Sequence, residues 1–235
     1  MSTTPIRDTR RKEIIAAALD LFSRKGYRGT TMPDIAQAAG ISTGLIYYIF
    51  PSKEDILLAC CEDTATITRD VLNQAREIVD PLQRFDTIVR ELYTITDSTS
   101  KQLIILYRDI SLLQRETRQR ILAPMKKLDD HLVALFEEGQ RAGVFTENIP
   151  QPRVLAANVQ SLGHQWALQK TWHFVPEIDL ETYISAQLDY FHAQLLKGAA
   201  NSPISGSNDH QPTKTARLPS DEQDITQTDE RPPGE

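Results

Sequence analysis

Along most of the chain apolar residues return every three or four positions, and runs alternating apolar with polar at a period of two are missing. Proline and glycine are sparse from residue 53 to residue 197. The pattern predicts an all-α chain of about nine helices. The first reads TRRKEIIAAALDLFSRKG, with Ile14, Ala18, Leu21 and Phe22 on one stripe and Gly26 just past its end. Its Arg10, Arg11 and Lys12 then fall in the first turn, where the helix dipole disfavours cations unless phosphates lie near; ordinary solvated charge is the alternative. The second, TTMPDIAQAAG, opens on a capping box of Thr31 and Asp34, tolerates Pro33 in its first turn and stops at Gly40. Ser42 caps a third helix over residues 43–50, which Pro51 ends. Ser52, with Asp55, caps a long fourth helix of about residues 53–78.

Further on, Asp80-Pro81 starts a helix ending near TDSTS, and SKQLIILYRDISLLQRE predicts a central apolar helix. Residues 114–120 read as a charged bend before a helix of residues 124–141, and helices over residues 152–172 and 179–197 complete the pattern. Two short helices joined around a glycine describe a helix-turn-helix. The chain therefore divides into a three-helix head (1–52), a larger helical body (53–197) and a tail (198–235). The tail has no aromatic residue, five prolines, and seven acids against three bases, so it is expected to be disordered.

On a helical wheel of about 100° per residue, Leu45, Ile46, Ile49 and Phe50 share one arc of roughly 140°, and Thr43, Gly44, Tyr47 and Tyr48 take the other side. One face packs; the other offers a hydroxyl, bare backbone and two phenols. Such a helix suits the major groove, with its N-terminal residues at base edges and the phenols and Lys53 at phosphates. The alternative is a small helical subdomain whose tyrosines cover a core edge.

Charge is compatible with the groove, with chance clustering of solvated charges as the alternative. The first 53 residues hold eight Lys/Arg against four Asp/Glu, a net +4, while the whole chain is at −6. A basic head on an acidic body directs only the head toward a polyanion.

The segment TTMPDIAQAAGISTGLIYYIFPSKEDIL, with RRKEIIAAALDLFSRKGYRGTT before it, resembles the DNA-binding signature of the TetR-type bacterial transcriptional regulators as far as about Leu58. Gly26, Thr31, Asp34, Ala36, Gly40, Ser42, Gly44, Tyr47, Phe50 and Lys53 fall where the family pattern wants them. FEEGQRAGVF (136–145) resembles the family's helix-ending element. HQWALQKTWHF resembles a branch of effector domains, some of whose members answer to acyl-CoA thioesters. The resemblance implies a homodimer on a palindromic double-stranded DNA operator and a small-molecule effector, acyl-CoA or another apolar or aromatic ligand, held in the C-terminal body. Carried over by position, the DNA contacts are Thr31, Ser42, Thr43, Gly44, Tyr47, Tyr48 and Lys53. Thr43 departs from the family's frequent lysine and Ile49 from its frequent histidine or other polar residue, so the recognition helix carries no charged side chain. Affinity is then expected to rest on the tyrosines, Lys53 and the Arg10–Lys12 cluster.

In the body, Tyr93, Tyr107, His164, Trp166, Trp172 and Phe174 are candidates for an aromatic-lined effector pocket, with Arg108 as a holder of a carboxylate or phosphate. For each, core packing or an internal ion pair is the competing role. Leu155, Val159, Leu162, Trp166, Tyr183, Leu188, Phe191 and Leu195 on the last two helices suit either a four-helix dimer interface or the monomer core.

No catalytic set or cofactor motif is expected. His131, His164, His173, His192 and His210 lack metal-site spacing, and phosphate-binding glycine loops are missing. Adjacent Cys60 and Cys61 read as packing residues in a reducing cytoplasm. The N-terminal MSTTPIRDTRRK is not a secretory signal, and no apolar run approaches membrane-spanning length. The reading is a ligand-responsive repressor. The alternatives are a helical small-molecule binding protein or enzyme with a vestigial head, and a DNA-organising protein, which the net negative charge disfavours.

Overall fold

The computed structural model describes residues 4–196. The acidic tail expected over residues 198–235, and His210 with it, lie outside the described residues.

Among those residues stand nine α-helices and no strand. They are α1 (Thr4–Lys25), α2 (Met32–Ala38), α3 (Thr43–Ile49), α4 (Lys53–Ala75), α5 (Pro81–Ser98), α6 (Ser100–Asp109), α7 (Arg115–Arg141), α8 (Pro152–Gln169) and α9 (Leu180–Leu195). The all-α expectation holds. Local chemistry sets the starts. Thr31 and Asp34 close a reciprocal capping box, Ser42 accepts from Leu45 N, Ser52 from Asp55 N, Asp80 from Leu82 and Gln83 N, and Asp179 from Thr182 N. Each such cap is worth about 0.5–2 kcal/mol. Gly40, at φ +65°, makes the left-handed turn between α2 and α3.

Two apolar clusters organise the packing. One gathers Phe85, Ile88, Tyr93, Leu132, Phe136, Val159 and Phe191 from α5, α7, α8 and α9, with Phe145 from the segment between α7 and α8. The other holds the core of the first three helices, with Ile14, Phe22, Ile35, Ile46 and Phe50. It continues through Ile56 and Leu57 of α4 into Ile105 and Leu106 of α6 and Ile121 of α7. The apolar interior of the head is therefore shared with the helices above it.

Three expectations are corrected. α1 begins at Thr4, so Arg10, Arg11 and Lys12 lie past its first turn and the dipole argument for nearby phosphates falls away. The segment 114–120 is no bend: α7 starts at Arg115 and keeps Pro124 inside it. Its start is capped from a distance, since Glu54 of α4 accepts from Gln114 N at 3.0 Å and from the Thr117 hydroxyl at 2.9 Å. Finally, Leu155, Val159, Trp166, Tyr183, Leu188, Phe191 and Leu195 are all buried in the monomer core, and of the eight interface candidates Leu162 alone is partly exposed.

Candidate nucleic-acid interface and ligand cavity

α3 is held by two fully seated side chains, Ile46 and Phe50, with Ile49 half-buried. Leu45, expected to pack, is 37% exposed. The anchors centre the buried arc about 120° from Leu45, which leaves it on the rim of a short helix. Ser42, Thr43 and Gly44 are exposed at the helix N-terminus, and Tyr47 and Tyr48 are 48% and 74% exposed. A Cβ at Gly44 would meet nothing within 4 Å, so the space over that turn is open. Thr31 and Ser42 spend their lone pairs on the caps of α2 and α3, and their hydroxyl protons remain available to an acceptor such as a phosphate.

The surrounding cations are partly engaged. Arg7 lies over the Tyr48 ring, 5.9 Å from its centroid. Arg10 pairs with Glu13 at 2.7 Å, and Arg11 pairs with Asp63 of α4 at 3.1 Å. Lys53 donates to the carbonyls of Tyr27 at 2.7 Å and Thr30 at 3.1 Å, with its ammonium 4.4 Å from the centre of the Tyr27 ring. It thus clasps the loop between α1 and α2 and has one N–H left over.

A second contact joins the head to α6. The buried Asp109 carboxylate accepts through Oδ2 from Arg108 Nε at 3.0 Å and Nη2 at 2.8 Å, and from the Tyr27 backbone N–H at 3.3 Å. Arg108 Nη2 also donates to the Phe22 carbonyl in the last turn of α1, at 2.7 Å. Arg108, the candidate effector holder, is therefore committed to this seam and does not line the cavity described next. Burial, with Glu54, Asp55 and Asp109 nearby, drives the Tyr27 phenol well above its ordinary range.

Helices α4 to α8 enclose a cavity of roughly 140 Å³. Its wall includes Tyr93 and His164 together with residues no sequence motif marked: Thr64, Thr96, Gln102 and Gln160. His164 bonds the Tyr107 phenol through Nδ1 at 2.9 Å, and burial lowers its pKa to about 4, so the ring is neutral near pH 7. Tyr93 is buried, and its hydroxyl has no partner among the described residues. Of the other candidates, Tyr107 stands outside His164. Trp166 stacks on Phe174 at 5.7 Å and donates to Asp97 at 2.7 Å. Trp172 is exposed on a π-turn (Lys170–Phe174). The structure thus brings Tyr93 and His164 into one cavity and leaves Arg108, Trp166 and Trp172 elsewhere. Cys61 also faces it, and burial pushes its thiol up to about 12.

No group of three or more His, Cys, Asp or Glu among the described residues has the arrangement of a metal site. No helix there is long and apolar enough to cross a membrane. On the outer side of α8 and α9, Asn158, Ser161, Leu162, Gln165, Gln187 and Tyr190 line a shallow depression.

With this geometry in hand, comparison with known proteins is informative. The family described as bacterial regulatory proteins, tetR family, matches residues 14–60, and a tetracyclin repressor-like C-terminal domain matches residues 79–168. The transcriptional regulator HbdR of Aromatoleum sp. (strain CIB) is 29% identical over 182 residues, covering 77% of this chain and 78% of that one. The transcriptional repressor KstR2 of Rhodococcus jostii (strain RHA1) is 29% identical over 159 residues, covering 63% of this chain and 76% of that one. Among solved structures, AibR in complex with isovaleryl coenzyme A and operator DNA superposes with a TM-score of 0.65. It is 24% identical and covers 77% of this chain and 97% of that one, a likeness of fold.

Proposed function

We propose that this chain, which belongs to the TetR family of bacterial regulatory proteins and is a DNA-binding transcriptional regulator, works in the cytoplasm as a homodimeric repressor. It binds a palindromic operator and is released from it by a small molecule in the α4–α8 cavity. The observation that carries this reading is the recognition helix: two anchors hold α3 while Thr43, Gly44, Tyr47 and Tyr48 stand exposed on one side. Thr43 can bond a base edge or touch a thymine methyl, Gly44 admits the sugar–phosphate backbone closely, and the phenols donate to phosphates. Thr31, Ser42 and Lys53 position the head on the phosphate backbone.

One head covers a small footprint, and two heads spaced to successive major grooves, about 34–36 Å apart, read a palindrome. The outer face of α8 and α9, around Leu162 and Tyr190, supports the reading of a dimer contact: Leu162 is partly exposed and Tyr190 exposed, whereas Leu155, Val159, Trp166, Tyr183, Leu188, Phe191 and Leu195 of those helices are spent inside the monomer.

Coupling runs through α6. Gln102, Leu103 and Leu106 form part of the cavity wall, and the same helix ends in Arg108 and Asp109, which hold the Phe22 carbonyl and the Tyr27 N–H. A ligand that displaces α6 pulls on the last turn of α1 and the loop beyond it. A conformer that fits the ligand and misplaces the heads then lowers DNA affinity by linkage. The chemistry is binding, with no catalytic step.

DNase protection of the DNA upstream of the gene, across a salt series, tests this. A short protected palindrome that fades steeply with salt is expected. Absence of any protected site at low salt overturns the reading.

A further inference from the structure

No residue of α3 is charged, so a cation at its exposed face has to come from another helix. The first helix supplies one. At about 100° per residue, Arg7 lies within roughly 20° of Ile14 and Ala18, both fully buried on the α1 stripe, and Arg11 lies within roughly 60° of Ile14. The packing face of α1 therefore runs on beyond the core as arginine. Each of the two meets a ring from the end of α3. The Arg11 guanidinium carbon is 5.9 Å from the centre of the Phe50 ring, and that of Arg7 is 5.9 Å from the centre of the Tyr48 ring.

The two arginines differ in what else they hold. Arg11 Nη1 donates to both oxygens of Asp63, at 3.2 and 3.1 Å. Arg7 stands one turn further out, about 6 Å along the axis, and has no acid partner among the described residues. The neighbouring cations are committed or turned away. Arg10 pairs with Glu13, and Lys53 donates to the Tyr27 and Thr30 carbonyls. Lys12 lies about 160° round α1 from Ile14, on the far side from the packing stripe.

Tyr48 is 74% exposed, so its ring adds little to the interior, and an exposed cation–π pair is a weak gain for folding. The stack has a different use. A guanidinium held against a ring has less rotamer freedom to lose when its N–H fork meets a phosphate.

Resting on the reading of α3 as the helix that enters the groove, we propose that Arg7 and Tyr48 form one stacked clamp on the DNA backbone. The guanidinium forks onto the two free oxygens of a phosphate, and the phenol donates beside it. The clamp supplies the cation that α3 lacks. It takes the part expected of the Arg10–Lys12 cluster, whose arginines are held by Glu13 and Asp63.

Fluorescence anisotropy of the full-length protein across a salt series tests this on two labelled duplexes, one carrying the sequence protected upstream of the gene and one of random sequence and equal length. Arg7→Ala is expected to weaken binding to both about tenfold and to lower the salt slope by about one per bound head, because a backbone contact carries no sequence. Arg7→Lys keeps the charge and loses the fork and the flat stack, and is expected to weaken binding about fivefold. Tyr48→Phe, which keeps the ring, should lose less than Tyr48→Leu, which removes it. The double variant Arg7→Ala/Tyr48→Leu should bind within about twofold of the weaker single variant, because one unit is lost only once. Both side chains are exposed, so the helical circular dichroism spectrum and melting temperature of every variant should match the parent.

Four results overturn the clamp. Unaltered affinity and slope in Arg7→Ala remove Arg7 from the interface. A loss confined to the protected sequence makes it a reader of bases. Parental binding by Arg7→Lys leaves charge alone as its role. Losses that multiply in the double variant separate the two side chains. Tyr47→Ala, measured alongside, distinguishes this proposal from the reading it rests on. If Tyr47→Ala weakens binding and Arg7→Ala does not, the clamp falls and the groove helix stands. If neither does, both fall.

Discussion

Replacing Asp109 is the most direct test of the seam between the cavity wall and the reading head. The carboxylate is 6% exposed and receives three N–H groups on a single oxygen. In Asp109→Ala the Tyr27 N–H, itself in a buried residue, loses its acceptor, which costs about 1–3 kcal/mol. The Arg108 side chain is 43% exposed, so its lost ion pair is screened and adds only about 0.2–1 kcal/mol. The expected loss is therefore about 1–4 kcal/mol. Asp109→Asn keeps an oxygen for Tyr27 and gives up the charge, and is expected to cost about 1 kcal/mol. Urea unfolding followed by tryptophan fluorescence measures both. Fluorescence anisotropy on a labelled operator, with and without the ligand, then reads coupling. Asp109→Ala should remain folded at low temperature and lose most of the ligand's effect on DNA affinity. An Asp109→Ala protein within about 0.5 kcal/mol of the parent, with ligand release intact, would show that neither the stability estimate nor the coupling route is right.

Three further outcomes are expected. Tyr47→Ala should weaken operator binding about tenfold or more with an unchanged helical circular dichroism spectrum, and unaltered affinity would remove Tyr47 from the interface. Gly139→Ala should destabilise the fold by about 3 kcal/mol or more, since its new Cβ would sit 2.0 Å from the Phe145 ring; a melting temperature matching the parent would contradict this. His164 has its folded pKa lowered to about 4 from 6.5 by burial, so between those values the unfolded chain binds the extra proton. Its contribution is present above pH 6.5 and is lost as pH falls toward 4, by up to roughly 3 kcal/mol. His164→Gln should flatten that part of the stability–pH curve, and identical slopes in the two proteins would refute the assignment.

The helix starts were legible because their determinants are local: Thr31 with Asp34, Ser42, Ser52 and Asp80 each act within three residues of themselves. The recognition helix was legible for the same reason, through its amphipathic wheel. What escaped were contacts between residues far apart in sequence. The start of α7 depends on Glu54, sixty residues before it, so its charged first turns read as a bend. The buried Asp109 looked like any acid on a helix, because its partner Tyr27 N–H is a backbone group on a distant turn. The cavity escaped for another reason. Tyr93 and His164 were selected as aromatic, but the threonines that complete the wall carry no aromatic or charged signal, and only their repetition on α4 and α5 could have pointed to it. Trp166 and Trp172 were drawn by bulk alone, and bulk went to the core in one case and to the surface in the other.

The way α3 is fastened bears on how such a protein can change over generations. Ile46 and Phe50 carry its attachment, while Thr43, Gly44, Leu45, Tyr47 and Tyr48 contribute little to the interior. Substitutions at exposed positions usually move stability by less than about 0.5 kcal/mol. The exposed five can therefore be rewritten one at a time with the fold nearly indifferent, and on the proposed reading of α3 as the helix that enters the groove, replacements at Thr43, Gly44, Tyr47 and Tyr48 are expected to alter which operators are read. On that reading, operator preference can drift at almost no cost in stability, and a duplicated copy could acquire a new set of target genes without first acquiring extra stability.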